Sequence, residues 1–360
     1  GLRGGELVLD RLASLIRSKH EPAGLYTMFA RDRALTPELA KWQAFASPLD
    51  HLPAGARRWL LPAYPSAVRS LSKRLARDHA REPIDLLLSS SSAAIKGLKP
   101  PKSVPHVCYC HAPARYIWNQ QDAYRNAGGP AALGLRLAGP AYRRWDRATS
   151  TRVTRFLANS RFIADQIRTC FGRQATVVHP PVRTDTFTPD PATPRQSHWL
   201  AIGALVPYKR FDLAIAAAKA AGAELTIIGD GPDRDRLLQL AGSGVTFLGS
   251  VDEPALIEHL RRARLLIYPQ VEDFGITAVE AQACGCPVLA RRAGGALETV
   301  IDGTTGVLFE GDGPAEIARA ADRVPPDSPE LRSACRSNAE RFSEARFDRA
   351  IATIIDQTLS

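Results

Sequence analysis

The sequence predicts an α/β protein of two domains, each a parallel sheet wound with helices on both faces. Three observations carry that reading. From residue 199 onward, short apolar runs alternate with amphipathic helical patterns, as a doubly wound sheet requires. Between 180 and 197, Pro181, Pro189, Pro191 and Pro194 lie among scattered polar residues, the chemistry of a linker. The 360 residues, 45% of them hydrophobic, suffice for two cores. The boundary falls in the proline-rich stretch, giving domains 1–185 and 186–342.

Composition excludes several classes. No apolar run approaches the roughly 20 residues a membrane helix needs. The opening GLRGGELVLD lacks the apolar core of a signal peptide. The cysteine pairs Cys108/Cys110 and Cys284/Cys286 lack zinc-ligand spacing, so all six cysteines read as buried, reduced thiols of a cytoplasmic protein. Charge is split: residues 1–180 carry 28 Lys and Arg against 12 Asp and Glu, whereas residues 181–360 carry 19 against 25. The basic first half is expected to face something anionic.

The first domain begins at Gly4-Gly5, a glycine turn before a helix with Val8, Leu9, Leu12, Leu15 and Ile16 on one face. A Rossmann-type half places a hydrophobic strand before such a turn. Only Gly1-Leu2-Arg3 precede it, so the first strand is expected to be missing, leaving an open lane beside the strands at 84–88 and 105–110. Tyr26–Phe29 reads as a short strand. Arg57, Arg58, Trp59 and Tyr64 fit either a membrane-interface anchor or a helix with its arginines outward. The strand at 105–110 ends in His111, at the rim where sites are built. Residues 155–159 form another strand, and Ser160 caps a helix bearing Phe162, Ile163, Ile167 and Phe171.

In the second domain, strands are expected at 199–203, 224–229, 245–248, 264–268, 287–290 and 306–309. Helices fill the gaps at 210–221, 233–241, 253–263, 275–284, 296–301 and 314–323. Lys209 and Arg210 follow the first of these strands, at a helix start where basic residues are unfavourable unless an anion is present. After the strand 264–268 come Glu272, Asp273, Phe274 and Gly275. The pattern then turns helical, with Ile276, Val279 and Ala283 on one face and Glu280 inside the helix. The amides around Gly275 open that helix and form an anion site. Gly229–Pro232 and Gly294-Gly295 are further rim turns, where glycine permits close backbone approach. A last amphipathic helix carries Phe347, Ile351, Ile354, Ile355 and Leu359.

The stretch YPQVEDFGITAVEAQACG at 268–285, with its two glutamates eight positions apart, resembles the donor-site signature of the retaining GT-B glycosyltransferases. The resemblance is to the family 4, group 1 type, with two facing Rossmann-like domains. The stretch around His111 resembles the same family, in particular its bacterial O-antigen and exopolysaccharide mannosyltransferases. The resemblance implies that Glu272 faces the donor sugar and Glu280 the nucleotide ribose. It implies that Phe274, Gly275 and Ile276 contact the sugar and phosphates, and that His111 reaches the donor sugar across the interdomain cleft. Catalytic roles thus fall to His111, Glu272 and Lys209, and donor binding to Gly4, Gly5, Lys209, Arg210, Phe274, Gly275, Ile276 and Glu280. The final helix, within 343–360, is implied to cross back onto the first domain. One departure is Ala204, where many relatives carry an Arg that clamps the diphosphate with the Lys; Arg210 is the expected substitute.

The implied activity is transfer of a hexose, with mannose from GDP-mannose the first choice, to a lipid-linked or polysaccharide hydroxyl. No cofactor, metal or nucleic acid is expected. Attachment to the inner face of the cytoplasmic membrane is expected from the basic first half: Arg57, Arg58, Lys73, Arg74, Arg77, Lys96, Lys99 and Lys102. Two alternatives stand beside this reading: a non-catalytic nucleotide-sugar-binding protein of the same fold, and a nucleotide-sugar epimerase.

Overall fold

In the computed structural model, which describes residues 4–30, 36–53, 60–91, 93–118 and 129–360, the chain divides into two units. One is Gly1–His179 with Asp348–Ser360; the other is Pro180–Phe347. In the first, strands β1 (Leu25–Thr27) and β2 (Ala44–Ala46) pair in parallel as a sheet of their own. A second parallel sheet runs β3 (Leu87–Ser91), β4 (His106–Cys110), β5 (Arg155–Ala158), β6 (Ala175–Val177), in that order. Among the described residues no strand pairs with the outer edge of β3. β3 starts later than hydrophobicity alone predicts and runs on into serines. There the buried Ser89 and Ser91 find partners: Ser89 Oγ lies 2.8 Å from buried His106 Nε2, and Ser91 donates to the Ala93 carbonyl.

Around this sheet the helix Tyr64–Arg81 buries Val68, Leu71 and Leu75. The helix Arg161–Phe171 is capped by Ser160, whose hydroxyl accepts from the Ile163 amide, and it ends at Gly172 in the left-handed region. The final helix, Glu344–Leu359, belongs to the first unit from Asp348 onward. There Asp348 accepts from Arg11 Nε at 2.9 Å, and Gln357 accepts from Arg155. Phe347, Ile351, Ile354 and Ile355 are buried, while Leu359 is exposed.

Two features of this unit differ from expectation. Lys96, assigned to a basic surface patch, is buried: its ammonium lies 2.7 Å from Asp146 Oδ1, donates to the Asp146 carbonyl and sits 4.4 Å from the Phe171 ring centre. Trp118 Nε1 donates to the other carboxylate oxygen. Such a pair persists because losing either partner strands a charge in low dielectric, at about 3–5 kcal/mol. Arg74 is likewise engaged, with Asp78 and over the Phe45 ring. Lys73, Arg77, Lys99 and Lys102 are exposed; Arg57, Arg58 and Trp59 lie outside the described residues.

The second unit carries one six-stranded parallel sheet. Its strands are β7 (Trp199–Ile202), β8 (Leu225–Ile228), β9 (Val245–Gly249), β10 (Leu265–Tyr268), β11 (Val288–Arg291) and β12 (Gly306–Phe309). Their spatial order is β12-β11-β10-β7-β8-β9. The chain starts in the middle at β7, moves outward to β9, then returns to the other side of β7 with β10. That reversal is a topological switch point. β10 and β12 are buried throughout, as strands covered on both faces must be. One core layer joins the sheet to the helix Ile276–Ala283 and to Phe342; the other joins it to the helices Phe211–Ala220 and Pro314–Asp322.

The proline-rich stretch is not a free linker. Arg336 donates to the carbonyls of Thr184 and Phe187, and Arg332 to those of Asp190 and Thr193. Arg195 reaches the carbonyls of Ala263 and Gly285 and pairs with Asp327, while Phe187 is buried. Prolines supply the irregular backbone, and arginines satisfy the carbonyls it leaves unpaired. The helix Pro329–Glu340 that provides two of these arginines has no counterpart in the sequence reading. It packs on the helix Ile276–Ala283 through a buried amide pair. Asn338 Nδ2 donates to Gln282 Oε1 at 2.6 Å, and both amides donate to the Thr299 carbonyl. All six cysteines are free and buried, and no helix among the described residues is long and apolar enough to cross a membrane.

Candidate active site

The carboxyl ends of β7 and β10 flank the switch point, and the predicted donor-site residues of this unit follow these two strands. After β7 the chain turns through Gly203–Val206 into a short 3-10 turn, Pro207–Lys209. After β10 it runs through Pro269–Asp273 to Gly275, which opens the helix Ile276–Ala283. Lys209 Nζ and Glu272 Oε1 form an ion pair joining the two segments, each side chain 16% exposed. The Glu272 oxygen in this pair is itself buried and receives no further hydrogen bond. The pair is thus a preformed dipole, shielded enough from water for its charges to act strongly on a ligand.

Glycines pack each of these two segments closely against the next turn along the rim. A Cβ at Gly229 would collide with the Gly203 carbonyl oxygen, and one at Gly231 with the Leu205 backbone. The two turns are laced by hydrogen bonds from Leu205 N to Asp230 O and from Asp233 N to Leu205 O, both 3.0 Å. Gly294 and Gly295 do the same for the Glu272 loop: a Cβ at either would enter the backbone of Glu272 or Phe274, and Gly295 N donates to Glu272 O at 2.9 Å. Gly275 adopts φ +94°, with the Tyr268 hydroxyl 3.0 Å from where its Cβ would stand. The Tyr268 phenol is held well above its ordinary pKa, first by burial and then by the neighbouring Glu272 carboxylate.

The remaining predicted residues of this unit are placed as follows. Phe274 turns its ring into the core, edge-on to Phe342 at 5.3 Å between ring centres. Ile276 is partly buried against the same core. Glu280, partly accessible, has its carboxyl pushed up to about 7, chiefly by burial; Arg183 opposes the shift and Glu253 adds to it. Arg183 and Glu253 form an ion pair, and neither was anticipated from sequence. Arg210 is the only described non-glycine residue at positive φ (54°), where an L side chain is strained. Its guanidinium pairs with Asp212 at 3.4 Å and with Asp312 at 3.1 Å, and Asp312 also holds Arg291. The expected substitute for the Arg missing at Ala204 is therefore already engaged by two carboxylates. Asp312 hides in the turn Gly311-Asp312-Gly313, where composition signals only a loop.

In the first unit, His111 stands one residue past the end of β4. Its Nε2 lies 2.8 Å from Ser90 Oγ, and burial pushes its pKa down to about 4, so the ring is neutral at pH 7. Gly5 packs beside it: a Cβ there would stand 3.7 Å from the imidazole Cε1. Gly4 opens the same helix, Gly4–Lys19, and is exposed. Gly5 and His111 are thus neighbours, and Ser90, hidden in a run of four serines, is their unforeseen partner. Among the described residues no three His, Cys, Asp or Glu side chains are arranged to hold a metal ion.

Comparison with known proteins adds the family. The model described as Glycosyltransferase Family 4 matches residues 3–186, and that described as Glycosyl transferases group 1 matches residues 189–342. The D-inositol 3-phosphate glycosyltransferase of Mycobacterium sp. (strain JLS) is 33% identical over 236 residues, 56% of this chain and 54% of that protein. The GDP-mannose-dependent alpha-(1-6)-phosphatidylinositol monomannoside mannosyltransferase of Mycolicibacterium smegmatis is 34% identical over 182 residues, 42% of this chain and 48% of that protein. The chain thus spans about half the length of the curated relatives it matches. The crystal structure of Anabaena HepE in complex with UDP and glucose has a similar fold, with a TM-score of 0.70 at 19% identity, covering 98% of this chain and 96% of that one. With one family model over each part of the sequence and this fold, the chain belongs to the family 4, group 1 glycosyltransferases and has the GT-B fold.

Proposed function

We propose that this chain transfers a hexose from a nucleoside-diphosphate sugar to an acceptor hydroxyl with retention of configuration. The observation that carries the reading is the Lys209–Glu272 pair across the switch point, beside the helix N-terminus at Gly275 and with Glu280 in that helix. Lys209 and the first amides of the helix take the diphosphate, and Glu272 faces the sugar hydroxyls. Glu280 accepts from the ribose, and His111 touches the transferred sugar. The bond from the anomeric carbon to the phosphate oxygen breaks as the acceptor oxygen bonds on the same face. The departing phosphate oxygen takes the acceptor's proton, while Lys209 offsets the charge that grows there. No metal is assigned a role. The mycobacterial mannosyltransferase relative supports GDP-mannose as donor and a lipid-linked hydroxyl as acceptor.

A second reading, a nucleotide-sugar-binding protein without transfer, draws on Ala204 and on the engagement of Arg210 by Asp212 and Asp312. One assay separates the two. The protein is given a panel of nucleoside-diphosphate hexoses with a membrane lipid extract, products are identified by mass spectrometry, and the new anomeric centre is assigned by NMR. Transfer with retention is expected, with turnover falling about 10²–10³-fold in Lys209→Met and in Glu272→Gln. Donor binding without product would favour the second reading, and an inverted anomer would refute retention.

Glu280 sets a pH dependence. Its folded pKa is raised above the unfolded value, so the folded state holds a proton that the unfolded state loses between about pH 4.5 and 7. Ionisation of Glu280 therefore opposes folding, fully so above pH 7. A shift of this size corresponds to roughly 3 kcal/mol. Glu280→Gln is expected to raise the melting temperature at pH 8 and to leave it unchanged at pH 4. A ribose that donates to the carboxylate favours ionisation, so GDP-mannose affinity should rise from pH 6 to 8 in the wild type and stay flat in Glu280→Gln. Equal slopes in the two proteins would remove Glu280 from the ribose.

Membrane attachment is proposed through the exposed Lys73, Arg77, Lys99 and Lys102 of the first unit. Each such cation contributes about 1 kcal/mol near an anionic surface, fading over a Debye length. Co-sedimentation with phosphatidylserine vesicles should weaken as salt rises and be lost on reversing the charges of Lys73 and Arg77. Binding indifferent to lipid charge and salt would contradict this.

A further inference from the structure

The first unit holds two serine–histidine pairs on adjacent positions of β3, and they differ in surroundings. Ser89 and His106 are both buried, and the backbone of His106 is fixed by the Thr154 hydroxyl, so this pair belongs to the interior. Ser90 and His111 lie at the carboxyl end of the sheet, where both are only partly buried. The backbone of His111 is held from two sides: its N–H donates to Ser91 O at 2.8 Å, and its carbonyl accepts from Asn159 Nδ2 at 3.1 Å. Its ring is edge-on to Tyr109, with centres 5.2 Å apart. A Cβ at Gly5 would stand 3.7, 3.8 and 3.9 Å from Cε1, Nε2 and Nδ1, so residue 5 covers one face of the ring. With the backbone, edge and face set, Ser90 Oγ at 2.8 Å from Nε2 fixes the remaining rotation of the ring.

We propose that Ser90 is a positioning residue: by accepting a hydrogen bond from His111 Nε2–H it holds the ring in one tautomer and turns the Nδ1 lone pair toward a hydroxyl of the transferred sugar. The proposal rests on the transferase reading for the ligand, though not for the tautomer. A neutral imidazole has one N–H, and the partner of one nitrogen decides what the other offers. The proton on Nε2 is the form that neutral histidine already favours in water, so Ser90 reinforces that preference. The sugar hydroxyl then donates to Nδ1. The serine touches no substrate itself.

The test reads tautomer and turnover separately. Protein labelled with ¹⁵N in its histidines is examined by NMR, with His111 assigned through His111→Gln. Wild type is expected to show Nδ1 as an unprotonated nitrogen and Nε2 as a protonated one. In Ser90→Ala the two forms should mix, and donor turnover should fall roughly three- to tenfold, the worth of one hydrogen bond, with KM little changed. Ser90→Thr, which keeps the hydroxyl, should restore both signals. Ser89→Ala is expected to lower the melting temperature by unpairing buried His106, while the His111 shifts stay as they were. A protonated Nδ1 in wild-type protein, or a Ser90→Ala variant with wild-type turnover, would overturn the proposal. If wild-type protein transfers no sugar, the transferase reading fails, and the nitrogen shifts still decide the role of Ser90.

Discussion

A cation from one loop and a carboxylate from another meet across the switch point of the second unit, and the surrounding rim is built to let them meet. Lys209 and Glu272 are each mostly buried, so neither is stable there without the other. Their approach needs the turn after β7 and the loop after β10 at close quarters, which in turn needs backbone where side chains would otherwise stand. Gly229 and Gly231 provide that room on the side of the β7 turn, and Gly294 and Gly295 on the side of the β10 loop. The arrangement resolves a difficulty visible in the charges alone: a lysine beside a helix start is unfavourable. Glu272 offsets it, and under the proposed function the donor diphosphate competes for the same ammonium.

The first unit solves a related problem differently. Its rim residue is a neutral histidine, and its buried charges are kept away from the rim in the Lys96–Asp146 pair. That pair also anchors the Trp118 indole, in the short helix Arg115–Trp118 that follows the His111 turn.

Much of this was legible in the sequence. Each of the six strands of the second unit was anticipated to within a residue or two; all but the half-exposed edge strand β9 are largely buried on both faces and read as apolar runs. Lys209, Glu272 and Glu280 were singled out by their places after those strands together with the family resemblance, and the fold brings Lys209 and Glu272 into contact. What escaped depends on where side chains go after the backbone is laid. Nothing local distinguishes Lys96 from Lys99, yet one is interior and the other exposed. Arg210 has the composition of a phosphate ligand, and only the fold brings Asp312 to it. The linker reading failed because arginines more than 130 positions away satisfy its carbonyls. The helix Pro329–Glu340 was missed because its inward face holds a polar residue, Asn338, that a hydrophobic pattern cannot count.

The central claim is that Glu272 holds the place at Lys209 that the donor diphosphate takes. Calorimetric titration of GDP into wild type, Glu272→Gln, Lys209→Met and the double variant tests it most directly. The account predicts tighter GDP binding in Glu272→Gln, weaker binding in Lys209→Met, and no gain from Glu272→Gln once Lys209 is gone. Weaker binding in Glu272→Gln, or a gain that survives the loss of Lys209, would contradict it.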